Sequence, residues 1–113
     1  MHALALTWDE FKKVDIRVGK VLDAQDFPEA RNPSYRLTID FGPIGVKRSS
    51  AAIRPWYGKG DLVGRHVLAV VNFPPKQIAN FVSEVLVLGA VQPDGEVVLL
   101  RPDDEAALGA RVA

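Results

Sequence analysis

The sequence contains no cysteine, which excludes disulfide bonds, thiolate nucleophiles and zinc sites built on sulfur. Its two histidines, His2 and His66, have no partner at the spacing of metal ligands, so we expect no metal site. The longest apolar runs span about five residues, far fewer than the roughly 20 that a transmembrane helix needs. We therefore expect no membrane insertion.

Signatures of catalysis are lacking as well. Ser49-Ser50 does not stand in a nucleophile elbow, and the acidic run at 103–105 is typical of a helix start. No glycine-rich phosphate loop is present. Residues 1–6 lack the basic stretch and long apolar core of a secretory signal. The sequence thus predicts a cytoplasmic protein that is not an enzyme, with no catalytic residue and no cofactor.

What is present is the composition of a folded domain. Of the 113 residues, 48% are hydrophobic and 25% are charged, so we expect a single domain over residues 1–113. The net charge is zero, but residues 31–83 hold eight cations and two anions, whereas both flanking segments are acidic. A basic middle favours one electropositive face for a polyanion or an acidic partner, although scattered surface cations would give the same count.

Hydrophobic periodicity predicts a small barrel. Thr7 and Glu10 form a capping-box pattern at the start of a short helix over residues 8–12. Alternating or continuous apolar runs then predict short strands at about 14–22, 35–41, 46–53, 67–71, 85–88 and 97–100. No helix is long enough for a parallel crossover. The expected fold is therefore mainly all-β: a five-stranded OB-fold barrel with a short N-terminal helix and an extra C-terminal strand.

The connection between the fourth and fifth strands has an unusual composition. It carries Phe73, Ile78 and Phe81, a lysine (Lys76) and the proline pair at 74–75. Two prolines fix an extended backbone, so these side chains are held in place before any partner arrives. A stiff loop that presents apolar and cationic groups is typical of a recognition surface rather than of a simple connector.

OB-folds meet their ligands on the face of strands 2 and 3 and on the loops after strands 1 and 4. In this sequence those loops are residues 23–34 and 72–82, and the face between them carries Arg36, Lys47 and Arg48. The cationic stretch and the apolar loop are therefore expected to converge on one surface.

Several motifs resemble the tRNA-binding domain, an OB-fold module attached to some aminoacyl-tRNA synthetases and also found alone. The similar stretches are residues 14–21, 64–72 and 83–90. Within that superfamily, the sequence resembles the CsaA-type chaperones, a bacterial family related to protein export. The variants that carry this second resemblance are residues 27–35, 39–42, 47–51 and 72–76.

The resemblance implies a homodimeric, non-catalytic, cytosolic protein that binds unfolded or precursor polypeptides and serves the export machinery. It also implies kinship with domains that bind tRNA by shape. The sequence departs from the tRNA-binding branch at residues 30–35, where that branch carries a lysine, and at 49–51 and 83–85. Asn72 and Ser83 are retained. A purely structural or adaptor role through dimerisation is a third possibility.

Two candidate sites follow. The predicted polypeptide-binding residues are Phe73, Pro74, Lys76, Ile78, Phe81, Arg31 and Tyr35. The alternative tRNA-binding residues are Arg31, Arg36, Lys47, Arg48, Asn72, Lys76 and Ser83. Structural roles compete with these: Phe81 would close the barrel end, Ile78 would join a dimer seam, and Tyr35 and Trp56 are expected in the core.

Overall fold

The computed structural model describes residues 4–53 and 56–113. The helices in these ranges are α1 (Trp8–Lys12) and α2 (Lys59–Leu62), with a 3₁₀ turn at Gly42–Ile44. The strands are β1 (Ile16–Asp26), β2 (Tyr35–Asp40), β3 (Val46–Ala51), β4 (His66–Val70), β5 (Lys76–Ile78), β6 (Phe81–Ser83), β7 (Leu86–Val87), β8 (Gly89–Val91) and β9 (Val97–Leu99). No helix in the described ranges is long and apolar enough to cross a membrane.

The N-terminal helix begins where its capping box predicts. The hydroxyl of Thr7 accepts a hydrogen bond from the Glu10 backbone N–H at 3.1 Å, and Glu10 accepts one from the Thr7 N–H at 3.0 Å. The two bonds satisfy backbone donors that would otherwise lack partners at the helix start. The predicted helix at residues 8–12 is confirmed.

A nearly closed antiparallel barrel of five strands forms the body of the protein, in the order β3-β2-β1-β4-β7. Its inner face is lined by the fully buried side chains of Leu37, Ile39, Phe41 and Val67. The gap between β3 and the segment before β7 is bridged by a backbone hydrogen bond from Glu84 to the Arg48 carbonyl, 2.8 Å long. The predicted OB-type barrel is confirmed.

The first strand is longer than its sequence pattern indicated, and it bends elsewhere. It continues to Asp26, and its pairing with β2 shifts register between Val21 and Asp23, where a bulge curves it. A glycine within a strand pattern predicts a bend at Gly19, but in the structure this residue permits close packing instead. A Cβ there would lie 2.6 Å from the Ile39 side chain and 2.7 Å from the Phe41 ring.

The second half of the chain differs most from expectation. Residues 72–82, predicted as a long loop, contain the β5–β6 hairpin. The predicted strand at 85–88 shortens to Leu86–Val87, after which β8 pairs with β9, the expected extra strand. Residues 103–108 form bends and a turn rather than the predicted helical turn. Trp56, assigned to the core from its sequence context, is 55% exposed.

Candidate polypeptide-binding and nucleic-acid-binding groove

The loop after β4 is anchored to the start of the barrel by Asn72. Its side-chain oxygen accepts from the Asp15 N–H at 3.1 Å, and its amide donates to the Lys13 carbonyl at 2.6 Å. Both ends of this side chain are therefore used within the fold. The prediction that Asn72 contacts tRNA is replaced by a structural role, because the residue fixes where the following Phe-Pro-Pro segment leaves the barrel.

The β5–β6 hairpin turns through only two residues. Ile78 pairs with Phe81, and Ala79 between them has φ of 52°, in the left-handed region that usually favours glycine. The Gln77 side chain donates to the Ala79 carbonyl at 3.0 Å and so supports the turn. The hairpin is short, and it projects Lys76 and Ile78 on one face because side chains alternate along a strand.

Phe81 lies beneath the surface rather than in it. Its side chain is 2% exposed, and its ring lies 5.4 Å from the ring of Phe27 at an interplanar angle of 60°. The guanidinium of Arg48 lies over the Phe81 ring at 4.4 Å, and that of Arg36 lies over Phe27 at 5.5 Å. The prediction that Phe81 lines the polypeptide site is wrong, since Arg48 covers one face of its ring and Phe27 packs against it.

Tyr35 is also internal. It is 5% exposed, and its hydroxyl donates to the Tyr57 backbone carbonyl at 2.8 Å. A partner on the surface has no access to it, so this candidate is corrected to a core residue, in keeping with the competing structural interpretation.

The remaining polypeptide-binding candidates line two adjacent cavities at the β5–β6 hairpin. The first part has a volume of about 320 Å³ and the second of about 350 Å³, and Ser50, Lys76 and Ile78 line both. We call the two parts together the hairpin groove. The first part is lined by Ser50, Phe73, Pro74, Lys76, Ile78, Ser83, Glu84, Val85 and Leu86. The second is lined by Ala30, Arg31, Asn32, Ser34, Ser50, Ala52, Lys76, Gln77 and Ile78.

The structure thus brings Phe73, Pro74, Lys76 and Ile78 together with Arg31, from the loop after β1. The expected convergence of the two loops at one rim of the barrel is observed. Sequence reasoning missed Gln77, Glu84 and Leu86. A two-residue Ala-Asn turn carries no strong hairpin signal, so the strand that places Gln77 could not be read from the pattern.

The tRNA-binding candidates other than Arg31, Asn72 and Lys76 separate into three groups. Arg36 and Arg48 lie on the outer face of β2 and β3, where the pairs Arg36–Ser50 and Thr38–Arg48 stand side by side. Lys47 pairs with the buried Ile39 and so lies on the opposite side of β3. Ser83 is occupied within the fold, since its hydroxyl accepts from the Ser50 N–H at 3.1 Å. The tRNA-binding assignments of Lys47 and Ser83 are therefore wrong: Lys47 lies on the other face of β3 from Arg36 and Arg48, and Ser83 has a structural role.

The charge of the hairpin groove is mainly positive. Arg31 and Lys76 line it, and neither forms an ion pair within the residues that the structure describes. Glu84 is the one anion among the lining residues, and its carboxylate accepts a hydrogen bond from the Arg48 N–H at 3.1 Å. The groove therefore presents an apolar floor with unpaired cations at its edge.

From the sequence, Arg17 is expected to pair with an acid across the barrel surface in a structural role. Its Nε lies 2.6 Å from the Asp15 carboxylate, and Nη1 donates to the Gly109 carbonyl at 3.0 Å. The acid precedes Arg17 by two residues rather than lying across the barrel. The arginine joins the start of β1 to the C-terminal segment.

Comparison with known proteins assigns the class. The family described as "Putative tRNA binding domain" matches residues 16–111, so the chain belongs to that family. It is 40% identical over 106 residues to a methionine–tRNA ligase of Thermococcus onnurineus, covering 93% of this chain and 14% of that protein. The chain thus corresponds to about one-seventh of that ligase's length.

Two solved structures match over their whole length. The chaperone CsaA from Bacillus anthracis superposes with a TM-score of 0.92 at 48% identity, covering 97% of this chain and 100% of that one. The CsaA chaperone from Picrophilus torridus gives a TM-score of 0.90 at 53% identity, covering 96% and 100%. Within its family, the chain is thus similar to CsaA chaperones from end to end, as the motifs indicated.

Proposed function

We propose that this protein is a non-catalytic chaperone that holds extended, partly apolar polypeptides in the hairpin groove and delivers precursors for export from the cytoplasm. The observation that carries the proposal is the position of Phe73. Its ring is 53% exposed on a proline-stiffened loop, at the edge of the hairpin groove to which Arg31 and Lys76 also belong. The similarity to CsaA chaperones supports the same role.

The energetics suit a reversible holding function. Covering the exposed part of the Phe73 ring contributes about 1–2 kcal/mol, and Leu86 and Ile78 in the same groove add comparable amounts. The stiff backbone lowers the entropy lost when a partner binds, because Pro74 and Pro75 already fix it. These contributions favour weak, exchangeable binding of many segments rather than one tight complex.

The test is a binding titration with a reduced, carboxymethylated polypeptide that stays unfolded without denaturant. Replacing Phe73 and Lys76 together by alanine should abolish binding while leaving the fold intact by circular dichroism. The matched control is the pair Val63→Ala and Lys20→Ala, which removes an equally exposed apolar group and a cation away from the hairpin groove. Equal affinity of the double variant and the control would show that the polypeptide does not bind at Phe73 and Lys76.

A second candidate function is binding of tRNA by the neighbouring basic face. The family assignment favours it, and Arg31, Arg36 and Arg48 are the surface cations that would contact phosphate. Three phosphate contacts predict a log–log slope of affinity against salt of about −2 to −3. A titration of tRNA over a salt series checks this value, and negligible binding at low salt would rule the function out.

We also propose that the protein forms a homodimer through its N-terminal apolar face. Leu4 and Trp8 are 90% and 81% exposed, and Leu6 is also exposed. Trp8 lies beside Val112 and Ala113 of the C-terminal segment. Contiguous apolar exposure of this kind is typical of an interface. The apolar pattern of the extra strand also predicts an interface at β9, but Leu99 of that strand already packs into the barrel, so the N-terminal face is the stronger candidate.

A further inference from the structure

The outer edge of β5 carries unpaired backbone groups. A two-residue turn makes Ile78–Phe81 a hydrogen-bonded pair, and such pairs alternate along an antiparallel ladder. The Gln77–Val82 pair is therefore non-hydrogen-bonded, and the N–H and C=O of Gln77 point away from β6. Within the residues that the structure describes, these two groups bond to no other backbone or side chain.

The residue that carries these groups lines the second part of the hairpin groove. Gln77 borders this cavity together with Arg31, Asn32 and Ala52, so open space adjoins the strand at this residue. An exposed strand edge beside a cleft is the geometry used to add an extended peptide as one more strand. The side chains of Lys76 and Ile78, on either side of Gln77, lie on one face and would contact alternate residues of that peptide.

We propose that a bound polypeptide pairs with β5 as an added strand, with its backbone bonded to Gln77. The inference rests on the proposed chaperone function and specifies how the groove recognises its segment. Charge complementarity defines the segment: an acidic side chain lies beside Lys76 and Arg31, and an apolar side chain two positions along the peptide lies beside Ile78 and Phe73. The two hydrogen bonds to the peptide backbone do not depend on its sequence. The side chains at these two positions determine which segments are preferred.

Proline at position 77 tests the pairing directly. Gln77→Pro removes the outward N–H, and it spares the β5–β6 ladder because that ladder does not use this donor. Gln77→Ala is the matched control, since it removes the same side chain and retains the N–H. The probe is a short fluorescein-labelled peptide that carries one leucine and one aspartate separated by a single serine. We expect Gln77→Pro to bind it about five- to tenfold more weakly than Gln77→Ala.

A second measurement needs no variant protein. N-methylation of each peptide residue in turn should weaken binding to the wild-type protein at the one position whose N–H bonds to the Gln77 carbonyl, and not at its two neighbours, because their N–H groups point away from β5. Binding that shows no such loss at a single position and is equal in the proline and alanine variants overturns the strand pairing and leaves the groove as a side-chain site. If the wild-type protein binds neither this peptide nor the carboxymethylated polypeptide, the proposed function fails, and the pairing with it.

Discussion

The guanidinium carbon of Arg48 lies 4.4 Å from the centroid of the Phe81 ring and covers it. The cation faces solvent, whereas the ring packs against Phe27 below. A cation over an aromatic face is stabilising by about 0.5–1 kcal/mol at an exposed site. The contact orients the Arg48 guanidinium beside the hairpin groove. It also leaves Phe81 buried, whereas Phe73, in the same connection between strands, is exposed.

The two phenylalanines should therefore respond differently to truncation. Phe81→Ala empties a buried site and should lower the free energy of unfolding by about 3–5 kcal/mol. Phe73→Ala removes a half-exposed ring and should cost less than about 1 kcal/mol while weakening polypeptide binding. Urea denaturation measures both values. Equal destabilisation by the two variants would contradict the assignment of Phe81 to the interior and Phe73 to the surface.

Ala79 in the hairpin turn predicts a stabilising substitution. Its φ of 52° costs a residue with a Cβ about 1–2 kcal/mol, and glycine avoids that cost. After the greater flexibility of glycine in the unfolded chain is counted, Ala79→Gly should raise the free energy of unfolding by about 0.5–1 kcal/mol. Ala90→Gly in β8, where φ is negative, is the control and should lower it by a similar amount. The same sign for both variants would refute the strained turn.

At Gly19, adding a methyl group should lower the free energy of unfolding. A Cβ at this position meets Ile39 and Phe41, both fully buried, so neither neighbour can move freely. Gly19→Ala should lower the free energy of unfolding by about 1–3 kcal/mol. Gly60→Ala, where a Cβ would have open space around it, is the comparison and should change it by less than about 1 kcal/mol in either direction. Thermal denaturation distinguishes the two variants.

The capping box predicts a dependence of stability on pH. Hydrogen bonds from the backbone N–H and hydroxyl of Thr7 hold the pKa of Glu10 below its usual value of 4.5. A carboxyl whose pKa is lowered by folding adds stability above its unfolded pKa, and this contribution is lost as the pH falls through the folded pKa. The stability advantage of the wild-type protein over Glu10→Gln should therefore be full near neutral pH and decline below pH 4.5. Urea midpoints across this range check it, and a constant difference would contradict the hydrogen-bonded carboxylate.

Trp8 tests the proposed dimer face. Trp8→Ser removes the largest exposed apolar group there, so sedimentation velocity should show a shift from dimer to monomer at micromolar concentration. Trp56→Ser is the matched control, because that tryptophan is also exposed but lies elsewhere, and it should leave the dimer intact. A monomeric wild-type protein, or equal loss of the dimer in both variants, would refute dimerisation through the N-terminal apolar face.

Local signals predicted the first half of the fold well. The capping box at Thr7 fixes α1, and alternating burial in β2 matches the alternation of its residues. The bulge near Val21 escaped prediction because it depends on pairing with β2, which a single strand's pattern does not contain. The same holds for Gly19, whose role comes from the approach of Ile39 and Phe41.

The candidate site was predictable in its location but not in all its members. The composition of the loop after β4 identified Phe73 and Lys76, and the OB-fold pattern placed Arg31 opposite them. Phe81 was misassigned because an apolar residue in a loop has no periodicity that distinguishes inside from outside. Ser83 was misassigned because its partner, the Ser50 N–H, lies on a strand distant in sequence.

The seam that closes the barrel is joined largely by side chains rather than by a continuous backbone ladder. The Ser49 hydroxyl donates to the Val85 carbonyl at 2.9 Å, and the Ser50 N–H bonds to the Ser83 hydroxyl. Ser50 and Val85 also line the hairpin groove, so the closure of the cylinder and the wall of the cleft are the same few atoms. Opening this seam requires only a local loss of contacts. A polypeptide bound in the hairpin groove would contact residues on both sides of the seam and hold it closed. Deuterium uptake at the Ser50 amide should therefore slow when a polypeptide occupies the hairpin groove, whereas uptake at the amides of β1 and β4 should change little.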